Sequence, residues 1–128
     1  MKIQLEDGLP IVSVSLGYKG KIIILDDVLL DTGCSNTIFD TDEVEGVGLI
    51  IDRKNGSPRR MYGVGGESEL CYEQNVKELE IDNFRLGSFQ LQLGITKETY
   101  GFNGILGVDF MIKSGLVIDF NEKAVFRK

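Results

Sequence analysis

The chain has 128 residues, 42% of them hydrophobic, with 16 glycines and a formal net charge of −6. That length predicts one domain, residues 1–128, with a workable core, and the composition suits a compact, turn-rich soluble protein. The negative charge argues against nonspecific nucleic-acid binding, and no apolar run approaches the ~18 residues of a membrane-spanning helix.

The start, Met-Lys-Ile-Gln-Leu-Glu-Asp, has no apolar signal core, so a cytoplasmic location is expected. Histidine is absent, which removes the usual base for a Ser or Cys nucleophile and leaves acid–base work to carboxylates, lysines or tyrosines. Two cysteines, Cys34 and Cys71, without close spacing make neither a disulfide framework nor a zinc site. Neither metal nor cofactor is expected.

In chain order, residues 11–17 alternate apolar and small polar, the pattern of a half-buried strand. Tyr18-Lys19-Gly20-Lys21 reads as a hairpin turn and Ile22 to Leu25 as the returning strand. Asp26-Asp27 interrupts it before Val28-Leu29-Leu30 leads into Asp31-Thr32-Gly33-Cys34-Ser35-Asn36-Thr37-Ile38-Phe39. Asp is depleted in strands, and a carboxylate next to buried residues must be hydrogen-bonded, paired or protonated. A turn holding one acid at the end of a buried strand is a place to look for chemistry.

Asp40 to Glu43 suits a short helix or a turn, since Asp and Thr favour caps. Leu49-Ile50-Ile51 reads as a brief strand, and Lys54 to Arg60 as a polar loop. Met61-Tyr62-Gly63-Val64-Gly65-Gly66-Glu67-Ser68 lacks the Lys-Ser/Thr of a phosphate-binding loop and reads as a mobile hairpin tip.

Strands are expected at Val76–Ile81, Phe84–Leu86 and Phe89–Leu93, with turns at Asp82-Asn83 and Gly87-Ser88. Phe89, Leu91 and Leu93 fall on one face, with Gln90 and Gln92 opposite. Lys97 to Phe102 reads as a polar connection. Asn103-Gly104-Ile105-Leu106-Gly107 precedes a short amphipathic stretch, Val108 to Ser114, with Gly115 as its C-cap and Asp109 as a cap or surface residue. A terminal hairpin joins residues 116–120 to 124–126.

Three of these segments together resemble the single-domain, retropepsin-like branch of the aspartic proteases: the Leu-Leu-Asp-Thr-Gly stretch, the glycine-rich tip about thirty residues later, and the late Ile-Leu-Gly before a short helix. The resemblance implies a mainly β barrel with one short C-terminal helix. It also implies a homodimer, because a chain with one Asp-Thr-Gly builds a carboxylate pair only at a two-fold axis. In that reading Asp31 is the catalytic acid, Thr32 hydrogen-bonds across the two-fold, and Gly33 lets the backbone approach the dyad. Gly63, Val64, Gly65 and Gly66 would form a flap, with Tyr62 beside it as a substrate contact. Ile105 and Leu106 would line the pocket or buttress the loop. Ser35, a substrate-side position, and Asn36 replace acidic residues of the retroviral enzymes, so their substrate preference is not carried over. Cys34 stands where those enzymes usually have Ala and reads as packing.

The expected activity is aspartic endopeptidase hydrolysis of a peptide or protein substrate. A catalytically inactive dimerisation or peptide-binding module of the same fold is the alternative. A generic β-barrel with a chance motif would instead be a monomer in which Asp31 affects only stability.

Overall fold

The computed structural model describes residues 1–62 and 68–127. Its first hairpin joins β1 (Gln4–Glu6) to β2 (Leu9–Tyr18) through Asp7-Gly8, both at positive φ. The second joins β2 to β3 (Lys21–Leu30) through Lys19-Gly20, again both at positive φ, the tight-turn geometry that suits twisted strands. This second turn lies where the sequence reading puts it. The first has an equally good Asp-Gly signal that the reading passes over.

Asp26-Asp27 does not interrupt β3. It forms a bulge: Val12 pairs with Val28 and Val14 with Leu25, so one residue of β2 faces two of β3. The bulge exposes both aspartates while Leu25, Val28 and Leu30 all face the core. Ser13 donates its hydroxyl to the Asp26 carboxylate. Asn103 clips the bulge from the other side, its side-chain amide donating to Asp26 O at 2.7 Å and its backbone N–H to Asp27 O at 3.0 Å.

Next come β4 (Ile38–Asp40), the single-turn helix α1 (Thr41–Val44) and a 3-10 turn (Glu45–Val47). Leu49-Ile50-Ile51, expected as a strand, is irregular. Leu49 is buried, while the backbone on either side of Ile51 is satisfied by the Gln74 side chain rather than by a neighbouring strand. Gln74 Nε2 donates to Ile50 O at 2.8 Å, and Asp52 N donates to Gln74 Oε1 at 2.9 Å.

Residues 57–60, expected within a polar loop, belong to β5 (Ser57–Tyr62). They are polar because β5 is an outermost strand, where exposed side chains and Pro58 are tolerated. Then β6 (Ser68–Ile81) and β7 (Phe84–Gly94) pair along most of their length. Gly87, expected at a turn, sits at φ +65° in a bulge opposite Leu79, and β7 continues through it. Phe89, Leu91 and Leu93 are buried as expected. Gln92 is buried too, because the last four residues of β7 are covered on both faces.

The connection after β7 holds a second single-turn helix, α2 (Lys97–Tyr100), before β8 (Gly104–Leu106), α3 (Val108–Ser114) and the hairpin of β9 (Leu116–Asp119) and β10 (Ala124–Arg127). The fold is thus mainly β, with α3 the longest helix among the described residues; α1 lies where the sequence offers a short helix or a turn, and α2 within the stretch expected as a polar connection. No helix of the described residues is long and apolar enough to cross a membrane.

The main sheet runs β1-β2-β3-β8-β4-β7-β6-β5, and pairing of Leu16 with Ile81 and Gly17 with Glu80 joins β2 to β6, closing the middle strands into a barrel. Its core includes Val12, Leu16, Leu25, Phe39, Leu91 and Phe110. Phe110, from α3, meets Phe84 edge to face with ring centroids 5.9 Å apart. Because β8 lies between β3 and β4, parallel to the first and antiparallel to the second, the ends of β3 and β4 are held apart and the chain between them must loop outward. That loop is residues 31–37.

Asp40 fixes the far end of β4. It is buried, and although it stands at the N-terminus of α1, its side chain does not cap that helix. Instead Oδ1 accepts hydrogen bonds from Thr96 N and Lys97 N, both at 2.9 Å, tying β4 to the start of α2. Lys97 Nζ adds an exposed ion pair to Glu43 at 2.6 Å. Replacing Asp40 by Ala strands two N–H groups, one of them fully buried. Asp40→Ala is expected to lower stability by about 2–3 kcal/mol and Asp40→Asn by roughly half that. Urea unfolding would read this as a lower midpoint with an unchanged slope.

Candidate active site

Asp31 follows the last residue of β3, and its N–H extends the parallel ladder by one bond to Leu106 O at 3.0 Å. The chain then turns back on itself. Gly33 N donates to Asp31 Oδ1 at 2.9 Å, and Cys34 N donates to Asp31 O at 3.2 Å. A Cβ on Gly33 would sit 3.2 Å from the same carboxylate oxygen, so glycine here serves a close approach rather than a left-handed backbone. Asp31 is half-buried. Thr32 is exposed and makes no hydrogen bond among the described residues.

The second half of the loop is gripped by the start of α3. Asp109 Oδ1 accepts from Thr37 Oγ1 at 2.7 Å and from Phe110 N at 2.7 Å, while Oδ2 accepts from Thr37 N at 3.1 Å. Thr37 is fully buried, and its hydroxyl oxygen accepts from Gly107 N at 3.0 Å. Val108 N and Asp109 N donate to Cys34 O and Ser35 O at 2.8 and 3.2 Å. Asp109, read as a cap or surface residue at the helix start, is therefore the side chain that clamps the loop. Gly107 has an ordinary backbone conformation, but a Cβ there would meet Cys34 O at 2.7 Å and Asn36 O at 2.9 Å. Only glycine passes the loop this closely.

Asp31, Gly33 and Cys34 open onto a cleft of about 550 Å³. Ile38 and Ile105, from paired strands β4 and β8, form part of its wall. Met61, Tyr62, Glu69 and Cys71 line it from β5 and β6, and Ile95 and Phe102 from the connection after β7. Asp31 and Glu69 are the charged residues of this lining, and no lysine or arginine is among the described residues that form it.

Of the residues singled out in the sequence, Asp31, Gly33, Tyr62 and Ile105 meet at this cleft. Leu106 lies in the core and contributes its carbonyl to the Asp31 N–H, so it buttresses the loop. Ser35 is exposed, donates to Asn36 Oδ1 at 3.0 Å and is outside the cleft lining. Gly63, Val64, Gly65 and Gly66 fall outside the described residues. Glu69, Cys71, Ile95 and Phe102 are cleft residues that sequence reasoning missed. Period-2 alternation along β6 puts Glu69 and Cys71 on one face, but nothing local says that this face looks toward Asp31.

Both cysteines are free thiols at the cleft. Burial raises the Cys34 pKa, reinforced by the charges of Asp31 and Asp109 and opposed in part by the Asn36 backbone; the protonated Sγ donates to Asn36 O at 3.0 Å. Burial, and after it the charge of Glu69, pushes the Cys71 thiol up to about 11. Both are poor thiolates at neutral pH and act as small apolar groups. No three His, Cys, Asp or Glu among the described residues converge on a metal position.

The chain is similar in structure to the retroviral protease-like domain of Ddi1 from Leishmania major, with TM-score 0.58 and 15% identity over 92% of this chain and 88% of that one. It is also similar to a retropepsin-like aspartic protease from Rickettsia conorii, with TM-score 0.65 and 13% identity over 98% of this chain and 95% of that one. At such identities the likeness is one of fold, and the fold is retropepsin-like, as the sequence resemblance implies. Among curated proteins none matches the chain in sequence. Residues 14–110 match the aspartyl protease family, a span that runs from within β2 to the first turn of α3 and includes the whole 31–37 loop. On that match, the chain belongs to the aspartyl protease family.

Proposed function

We propose that this protein is an aspartic endopeptidase that works as a homodimer, with Asp31 of each copy meeting at the two-fold axis. The observation that carries this reading is a half-buried carboxylate, held by a clamped loop at the edge of an apolar cleft, with no cation among the described residues lining that cleft. A structural aspartate in such surroundings would be expected to have a basic partner or a full set of donors. Among the described residues, the Asp31 carboxylate has one hydrogen-bond donor, Gly33 N.

Hydrolysis of a peptide bond without a covalent intermediate needs one group to take a proton from water and another to give one to the carbonyl oxygen or the leaving amine. Two carboxylates at short range do both, because they cannot both ionise and so share one proton. The ionised Asp31 takes the proton from the attacking water, and the protonated Asp31 of the other copy donates to the substrate. Thr32, exposed in the single chain, would hydrogen-bond across the two-fold and hold the two loops in register. Gly33 would accept from the substrate backbone. Gly63 to Gly66 would close over an extended peptide, with Tyr62 as a flap-side substrate contact. Ile38 and Ile105 would receive an apolar side chain.

Cleavage of a diverse peptide pool, read by mass spectrometry between about pH 4 and pH 7, tests this. Wild type is expected to cut over a band of pH bounded by the two apparent pKa values of the coupled pair, failing below the lower one, where both carboxylates are protonated, and above the upper one, where both ionise. Asp31→Asn is expected to abolish every cut while sizing in solution still shows a dimer. No cuts from a wild-type dimer would favour the peptide-binding alternative, and a monomer without activity would defeat the dyad.

The clamp makes a second prediction. Asp109→Ala leaves the buried Thr37 hydroxyl and N–H without their acceptor and should cost about 1–3 kcal/mol of stability. The folded variant, assayed well below its unfolding midpoint, should also cut at least about 10-fold more slowly, because the loop that presents Asp31 loses its preorganisation.

A further inference from the structure

We propose that Glu69 gives the cleft a preference for a lysine or arginine side chain in the bound peptide. The proposal rests on the peptide-cleaving reading above and names the substrate class for it.

Glu69 lies on β6, two residues before Cys71 on the same face and directly opposite Met61 of β5. It is half-buried, it lines the same cleft as Asp31, and its carboxylate makes no hydrogen bond or ion pair among the described residues. The two arginines of β5 are engaged elsewhere. Arg59, on the Glu69 face, is turned to Glu73, with Nε 3.3 Å from Oε2. Arg60 pairs with Leu70 in the ladder, so it projects from the other face, and its Nη1 donates to Ser68 Oγ at 3.2 Å.

A carboxylate partly withdrawn from water, opposite Met61 and in a cleft that Ile95 and Phe102 also line, loses hydration and gains no partner among the described residues in return. The side chain that suits this arrangement has an apolar stem and a cationic head, since the stem covers the apolar wall while the head reaches the carboxylate. Acidic side chains would meet two like charges, Glu69 and the ionised member of the Asp31 pair. The net charge of −6 favours approach of basic peptides as well.

The test separates binding from cleavage. Fluorescein-labelled extended octapeptides are prepared in pairs that differ only by lysine or norleucine, placed at each position in turn. Their binding to full-length Asp31→Asn, which removes the other cleft carboxylate, is compared with binding to Asp31→Asn/Glu69→Gln. At one position the lysine peptide is expected to bind about 10-fold more tightly, with the advantage shrinking as salt is raised and falling to about unity in the double variant. Glu69→Lys in the same background should move the preference at that position to glutamate. No lysine preference at any position, or one that survives Glu69→Gln, overturns the proposal. Wild-type cleavage, assayed separately, shows whether the protease reading stands. Discriminating binding without cuts would defeat that reading alone, and cuts without discrimination would defeat the role of Glu69 alone.

Discussion

The contact on which the site depends is the passage of Gly107 against the 31–37 loop, where a single added carbon would strike two backbone carbonyl oxygens. Because β8 is inserted between β3 and β4, the chain leaving β8 has to cross the loop that joins those two strands. Without a side chain at the crossing, α3 starts close enough for its first N–H groups to reach Cys34 O and Ser35 O and for Asp109 to hold Thr37. The orientation of Asp31 is thus decided by backbone packing and by a hydroxyl–carboxylate pair, buried Thr37 with half-buried Asp109, whose partners lie some seventy residues apart in sequence. A loop that carries a reacting group has to be stiff, and this one is stiff because both of its ends are strands and its middle is bonded to a helix.

The electrostatics of the cleft follow from what is missing in the composition. Without histidine, and with the two β5 arginines turned to Glu73 and Ser68, the described lining presents carboxylates and thiols among mostly apolar groups. The thiols are kept protonated by burial and by neighbouring negative charge. They contribute volume rather than reactivity. What remains is an anionic, largely apolar cleft, a setting in which one carboxylate per copy suits a shared-proton pair and a second suits a basic ligand group.

Where sequence reading went astray, the cause was in each case a residue whose local signal has two structural meanings. Asp26-Asp27 and Gly87 look like breaks, but a bulge needs the same exposed or left-handed residues as a turn and leaves the strand intact. Ser57 to Arg60 looks like a loop because an edge strand is as polar as one. Leu49 to Ile51 has strand composition but lacks a neighbouring strand, and the buried Gln74 amide takes that place. Gln92 looks outward by alternation and is buried because packing covers both faces of its strand.

The class of protein and the chemistry to test are legible in the chain alone: the β-periodic segments, the Asp-Thr-Gly stretch and the late Ile-Leu-Gly are short-range patterns, and short-range patterns survive in one dimension. The sequence also singles out Asp31, Gly33, Tyr62 and Ile105, which meet at the cleft. Long-range packing is what makes Asp109 clamp the loop, Gly107 necessary by contact rather than by backbone angle, Leu106 a support from within the core, and Glu69 a neighbour of Asp31 in the same cleft. Each of these is a relation between strands distant along the chain. Such relations depend on the strand order and on the closure of the barrel, which no local run of residues encodes.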